Sequence, residues 1–140
     1  DVAALAALVM TIRDTGLLPE KNGIGVARFG TTDIREAITK LGVPLECFAG
    51  INQGWMLNNS IVDVERWLDQ GSLKHCDQAL MAWCVGNVKK EVKGNAYTVT
   101  KQAAGRAKID PAMAMFDAVA VMREPRAPVP QYENSLYFLT

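Results

Sequence analysis

Two short apolar segments separated by one amphipathic stretch constrain the fold of this chain most strongly. Residues 24–29, from Ile24 to Phe29, and residues 47–51 have the length and composition of strands, while the apolar residues of segment 33–41 recur at helical spacing. The links between the three segments are short. A strand–helix–strand unit of this kind favours a parallel strand pair with a right-handed crossover. The sequence therefore predicts an α/β fold.

Helix boundaries are indicated by polar residues that precede apolar periodicity. Asp33, with a glutamate three residues later, resembles a capping box, and Ser60 is placed to cap a second helix that stops before Gly71. Asp110 is expected to cap the last helix, with Pro111 at its first position, where proline fits. The sequence thus predicts helices flanking the strand pair.

A β-hairpin is predicted in the second half of the chain. Residues 88–92 and 96–100 are rich in β-branched and aromatic residues, and Lys93-Gly94-Asn95 between them is a turn signal. We assign residues 1–124 to one domain and residues 125–140 to a carboxy-terminal tail, whose composition favours a loose segment.

Composition excludes few classes of function. The chain has 140 residues, 49% hydrophobic and 21% charged, which fits one soluble domain, and its formal net charge of zero gives no global sign of a nucleic-acid or membrane partner. Its three cysteines form no C-x-x-C pair, which favours reduced thiols in a cytoplasmic protein. No signal peptide and no membrane-length apolar run is found. Because the sequence begins within a predicted helix at Asp1, we expect a fragment.

Several motifs together resemble the nuclease domain of tailed-phage large terminase subunits. The likeness runs over about residues 1–122 and is carried by LMAWCVGN at 80–87, GNA at 94–96 followed by TKQA at 100–103, KIDP at 108–111, QGW at 53–55 and segment 61–75. The resemblance implies a ribonuclease-H-like fold, cleavage of concatemeric DNA during packaging, and Mg²⁺ or Mn²⁺ held by clustered acids. It also implies the rest of a terminase, or other phage packaging proteins, as partners.

The same resemblance implies three metal-binding acids, of which this chain has one. The first belongs to a set of three antiparallel strands that precede the first helix in the family and that this chain does not include. The second corresponds to Ala27, so that this metal position is degenerate, and the third corresponds to Asp110, the implied catalytic and metal-binding residue. We therefore expect a partial nuclease fold that is catalytically inactive.

Metal chemistry gives this expectation its physical basis. Two-metal phosphodiester cleavage needs cations about 3.5–4 Å apart, held by carboxylates that converge from more than one element. Asp117 is the obvious substitute acid, but seven residues of helix separate it from Asp110 by about 10 Å. Asp33 lies six residues beyond Ala27 and is better explained as a helix cap.

Positive charge is concentrated around the predicted hairpin. Residues 88–109 contain six basic side chains against one acidic side chain, a local net charge of +5 in a neutral chain. A basic hairpin beside Asp110 is typical of a sequence-independent contact with the backbone of double-stranded DNA. The alternative is a solvated hairpin whose lysines maintain solubility and block edge pairing. The candidate DNA-binding residues are Lys89, Lys90, Lys93, Lys101, Arg106 and Lys108.

Three hypotheses remain open: an inactive terminase-type nuclease domain, a non-catalytic DNA-binding module, and a structural or interaction protein. The third is motivated by the strand at residues 24–29, which would be interior in the family and is expected to have an unpaired edge here. We predict that two copies pair through this edge to form a homodimer. The rival for the same edge is the tail segment at residues 135–139, whose composition is strand-like.

Overall fold

The computed structural model describes residues 1–101 and 107–123, which form a mixed α/β fold as predicted. Within the described ranges, no helix is long and apolar enough to cross a membrane. The tail at residues 125–140 and its strand-like segment 135–139 lie outside these ranges. The elements are α1 (Val2–Asp14), β1 (Ile24–Ala27), α2 (Thr32–Lys40), β2 (Phe48–Ile51), α3 (Asn58–Asp69), α4 (Ala79–Gly86), β3 (Val88–Lys93), β4 (Ala96–Lys101) and α5 (Asp110–Arg123), with 3-10 turns at Leu45–Cys47 and Gly54–Leu57.

The predicted parallel pair is present, and α2 is its crossover. β1 and β2 pair in parallel with Ile24 opposite Phe48 and Ala27 opposite Ile51. β1 ends two residues earlier than the sequence predicts, because the chain turns away before Phe29, which is 84% exposed. A positive φ at the following Gly30 accommodates this turn.

The predicted caps of α2 and α3 are wrong. The cap position of α2 is Thr31, whose hydroxyl donates to the Ala27 carbonyl at 2.9 Å, and Asp33 lies within the first helical turn. The α3 helix begins at Asn58, so Ser60 is buried inside its first turn instead of preceding it. Both helices begin earlier in the sequence than predicted, because of the turn that precedes each helix.

The cap of α5 differs from the prediction by one residue. The Met113 amide donates to the Ile109 carbonyl at 2.9 Å, which places the cap at Ile109. Asp110 is the first residue of the helix, and Pro111 follows at the second position. An acid in the first turn still interacts favourably with the helix dipole.

The β1–β2 pair separates two buried apolar clusters. Side chains alternate along each strand, so that Val26 and Phe48 face one cluster and Ile51 faces the other. We call these the α1–α2 cluster and the α3–α5 cluster. The α1–α2 cluster contains Ala6, Val9, Val26, Ile38, Val43, Cys47 and Phe48. The α3–α5 cluster contains Ile51, Leu57, Ile61, Val64, Ala112, Phe116, Val119 and Val121.

Helix α5 approaches β1 most closely at Gly25. A Cβ atom built on Gly25 would lie 2.6 Å from Val121 Cγ2 and 3.0 Å from the Asp117 carbonyl oxygen. Both distances are shorter than van der Waals contact, so only glycine lets the helix rest on the strand at this point.

The predicted hairpin is confirmed, with each strand one residue longer than expected. β3 and β4 pair antiparallel from Val88 opposite Lys101 to Lys93 opposite Ala96, and Gly94 occupies the turn with a positive φ. The hairpin packs against the α3–α5 cluster through Val88, Tyr97 and Val99. The Tyr97 amide also donates to the Asn58 side chain at 2.8 Å, which ties β4 to the start of α3.

Candidate functional site

The carboxyl end of the β1–β2 pair is the expected position for a site, because ligands of parallel sheets bind where the strands end. Ala27 is the last residue of β1 and, by strand alternation, its methyl group lies on the same sheet face as Gly25, which is the face covered by α5. An alanine offers no side-chain oxygen to a cation. Ala27, which the sequence resemblance predicts to be a degenerate metal position, therefore lies at the carboxyl end of the parallel pair.

A different acid, Asp117, lies close to this edge. Its side chain is buried and accepts a hydrogen bond of 2.9 Å from the Gln53 amide, just beyond the end of β2. Burial raises the pKa of the Asp117 carboxyl above its ordinary value, and the hydrogen bond from Gln53 opposes this effect in part. A buried carboxyl with a raised pKa at the end of a parallel pair is a candidate functional group.

The Asp117–Gln53 pair was not predicted from the sequence. From the sequence, Asp117 was considered only as a substitute for a missing acid, and an unsuitable one. The two residues are 64 positions apart, and no local spacing connects them. One signal was present: Asp117 is a single acid among apolar residues in segment 112–121. A lone acid on the buried face of a helix requires a polar partner, although the sequence does not identify that partner.

Asp110, the acid expected to bind metal, lies in a different environment. It is exposed at the start of α5, and its carboxylate has no hydrogen-bond or ion-pair partner among the described residues. The segment just before it is held by Asn87, whose side chain donates to the Lys108 carbonyl at 3.2 Å. Seven residues of continuous helix separate Asp110 from Asp117, about 10 Å along the axis.

These acids do not fit the Mg²⁺ or Mn²⁺ pair that the resemblance implies. Across residues 1–101 and 107–123, no group of three or more His, Cys, Asp or Glu side chains is placed to hold a metal ion. Asp110 and Asp117 are too far apart to share one cation, and Ala27 contributes no ligand. The described residues therefore do not form a two-metal centre.

The basic hairpin residues are divided between two faces. Lys90 shares the inner face with Tyr97, where its ammonium lies 4.5 Å from the ring centroid and contacts both Glu65 carboxylate oxygens at 2.6 and 2.7 Å. This lysine ties the hairpin to α3. Lys89 and Lys93 lie on the outer face, and Lys89 forms an ion pair with Glu91 at 3.0 Å. Lys90 therefore lies on a different face of the hairpin from Lys89 and Lys93.

The other candidate basic residues lie near the base of the hairpin. Lys101 is the last residue of β4, and Lys108 lies two residues before α5; both are exposed. Neither forms an ion pair within the described part of the chain. Arg106 lies outside the described residues.

The environment of Asp117 predicts a pH-dependent effect on stability. Its pKa is raised in the folded chain, so the favourable contribution is complete below the unfolded pKa and is lost as pH rises through the folded pKa. Asp117→Asn keeps an acceptor for Gln53 and removes the buried charge. We expect this change to raise the melting temperature by roughly 3 °C at pH 7 and to have little effect near pH 3. Thermal melts followed by circular dichroism at both pH values measure this.

Asp110→Asn is the matched control for this experiment, because it removes the same charge from an exposed position of the same helix. It should leave the melting temperature nearly unchanged near pH 3 and should lower it slightly at pH 7, through the lost interaction with the helix dipole. A destabilising Asp117→Asn change at pH 7 would contradict the assignment of a buried carboxyl whose pKa is raised by burial.

Comparison with known proteins confirms the family. The family model described as "Terminase large subunit, endonuclease domain" matches residues 37–125, which include Gln53, the hairpin, Asp110 and Asp117 but not Ala27. No curated protein matched the chain. No solved structure matched it either, so the ribonuclease-H-like assignment stays a prediction. Because the match covers more than half of the sequence, this chain belongs to the family of terminase large subunit endonuclease domains.

Proposed function

We propose that this chain represents the endonuclease domain of a phage DNA-packaging terminase and does not itself cleave DNA. The observation that carries the proposal is the alanine at position 27, at the carboxyl end of β1, where the resemblance places a metal-binding aspartate. Family membership supports the packaging role. The positions of Asp110 and Asp117 support the absence of cleavage by this chain.

Cleavage would require a charged group that this arrangement does not provide. A phosphodiester transition state accumulates negative charge on the attacking and leaving oxygens, and carboxylate-held cations normally stabilise that charge. Asp110 is exposed and lies about 10 Å along the helix from Asp117, so it can attract a hydrated cation but the two acids cannot fix its position together. Asp117 is committed to Gln53.

We expect no measurable nicking of supercoiled plasmid by this 140-residue chain with Mg²⁺ or Mn²⁺. The measurement is conversion of supercoiled to open-circular DNA on a gel, with a terminase nuclease of the same family as the positive control. Ala27→Asp should increase metal affinity only weakly, because one added carboxylate does not complete a two-metal site. Metal-dependent nicking that disappears in Asp110→Ala would overturn the proposal.

A second candidate function is DNA binding without chemistry, and the outer face of the hairpin favours it. Lys93 has no ion-pair partner among the described residues, and Thr98 and Thr100 lie on the same face as Lys89 and Lys93. Ammonium and hydroxyl groups are typical donors to phosphate oxygens. Lys108 is exposed two residues before Asp110, and Lys101 ends β4 opposite Val88.

A further inference from the structure

The QGW motif at residues 53–55 places a large aromatic side chain on the surface of the chain. Trp55 is 59% exposed and its neighbour Met56 is 52% exposed, both in the 3-10 turn Gly54–Leu57 that joins β2 to α3. Neither side chain is among the described members of the α1–α2 cluster or the α3–α5 cluster. Core packing therefore does not account for the tryptophan of this motif.

The turn that carries Trp55 is anchored at both ends. Before the turn, the Gln53 side chain donates a hydrogen bond of 2.9 Å to Asp117, and Gly54 then begins the turn with a positive φ. At the end of the turn, Leu57 is buried in the α3–α5 cluster. Because both anchors hold the backbone, the indole is presented in a fixed position and loses little conformational freedom when a ligand binds.

The same turn lies against the basic hairpin. It contacts β4, and Asn58, the residue that follows the turn, accepts a hydrogen bond of 2.8 Å from the Tyr97 amide. Tyr97 follows Ala96, which pairs with Lys93 at the tip of the hairpin. Lys93 is exposed and forms no ion pair within residues 1–101 and 107–123. The exposed indole and a free ammonium group thus belong to adjoining elements.

We propose that Trp55 is a stacking platform for an unpaired base of DNA, while Lys89 and Lys93 hold phosphates of the same strand. This inference rests on the DNA binding given above as the second candidate function, and it adds unpaired bases as a contact. In a duplex the faces of each base are covered by its neighbours, whereas an unpaired base can stack on an indole. The positive charge on the adjoining hairpin favours a nucleic acid as the occupant of this surface over an uncharged protein segment.

Fluorescence anisotropy with two labelled probes, an oligothymidine of about 20 nucleotides and a duplex of the same length, tests this contact. Trp55→Ala should weaken binding of the oligothymidine about tenfold and binding of the duplex less than about twofold. Trp55→Phe keeps an aromatic face and should retain most of the affinity. Trp83→Ala is the matched control, because Trp83 is 49% exposed but lies in α4, and it should leave both affinities unchanged.

Intrinsic tryptophan fluorescence gives a readout that a purely structural role of Trp55 would not produce. Unlabelled oligothymidine should quench the fluorescence of the unmodified chain and of Trp83→Phe, and this quenching should be lost in Trp55→Phe. Circular dichroism checks that each variant folds, and if Trp55→Ala does not, the two phenylalanine variants decide the result.

The outcomes separate this inference from the DNA binding on which it rests. Quenching that persists in Trp55→Phe, or an equal loss of affinity in Trp83→Ala, would overturn the stacking contact. Unchanged oligothymidine affinity in Trp55→Ala would also overturn it and would assign the exposed turn to a protein partner. In each of these cases, duplex binding that still depends on Lys89 and Lys93 would leave the second candidate function intact. Absence of binding to both probes would overturn the two together.

Discussion

Replacing Gly25 with alanine is expected to lower the free energy of unfolding by about 2 kcal/mol, and replacing it with valine should cost more. The added Cβ atom would meet Val121 Cγ2 at 2.6 Å and the Asp117 carbonyl oxygen at 3.0 Å. The Val121 side chain is stiff, and the Asp117 carbonyl belongs to the backbone of α5. Helix α5 must therefore move away from β1. Urea denaturation at 25 °C measures the change.

Gly50→Ala is the matched control, since Gly50 is also a strand glycine of the same sheet. Among the described residues, a Cβ atom there would meet no atom closer than Arg28 Nε at 4.0 Å. We expect this variant to be neutral or stabilised by up to about 1 kcal/mol. Val121→Ala should partly rescue Gly25→Ala in a double-mutant cycle, because it removes the closer of the two contacts. Equal effects at Gly25 and Gly50 would contradict the close approach of α5 to β1.

Neutralising Lys89 and Lys93 is expected to weaken binding of double-stranded DNA by about tenfold or more at low salt. Both lysines lie on the outer face of the hairpin, so Lys89→Gln with Lys93→Gln would remove two of the proposed phosphate contacts without changing the inner face. The slope of log affinity against log salt should fall by about 2, one per lysine. Fluorescence anisotropy with one labelled duplex at several salt concentrations measures both quantities.

Lys21→Gln with Lys40→Gln is the control that makes the same change in net charge away from the hairpin, and it should alter the affinity less than about twofold. Lys90 is unsuitable for this test, because Lys90→Glu would place a second acid beside Glu65 and weaken the hairpin itself. Unchanged affinity and salt slope in the Lys89 and Lys93 variant would place the DNA contact elsewhere.

Local sequence signals predict which helices and strands are present better than they predict where each one begins and ends. The parallel pair and the hairpin each depend on residues close together in the chain, and both are confirmed. The caps at Asp33 and Ser60 failed because the turns before α2 and α3 start each helix earlier than these polar residues predict. Leu57 is 1% exposed and belongs to the α3–α5 cluster. Its burial holds the 3-10 turn Gly54–Leu57 against the core, so α3 begins earlier than predicted.

The arrangement of the candidate site was less predictable than the fold. Ala27 and Asp110 could be assigned from their motifs, whereas the hydrogen bond between Gln53 and Asp117 joins residues 64 positions apart. The pairing of Lys90 with Glu65 crosses 25 positions and holds Lys90 on the inner face of the hairpin, opposite to Lys89 and Lys93. Charge counts along the sequence cannot detect such partners, because they depend on which strand face each side chain occupies.

The two apolar clusters differ in how much of the chain must exist before each can form. All buried members of the α1–α2 cluster lie within residues 6–48, so this cluster uses no residue that follows Phe48. The α3–α5 cluster joins Ile51 to residues 112–121 and therefore closes only after nearly the whole described chain has been synthesised. Until then, the sheet face that includes Gly25 stays open to water. On a ribosome we expect folding in this order, with that uncovered face as the surface that chaperones meet first.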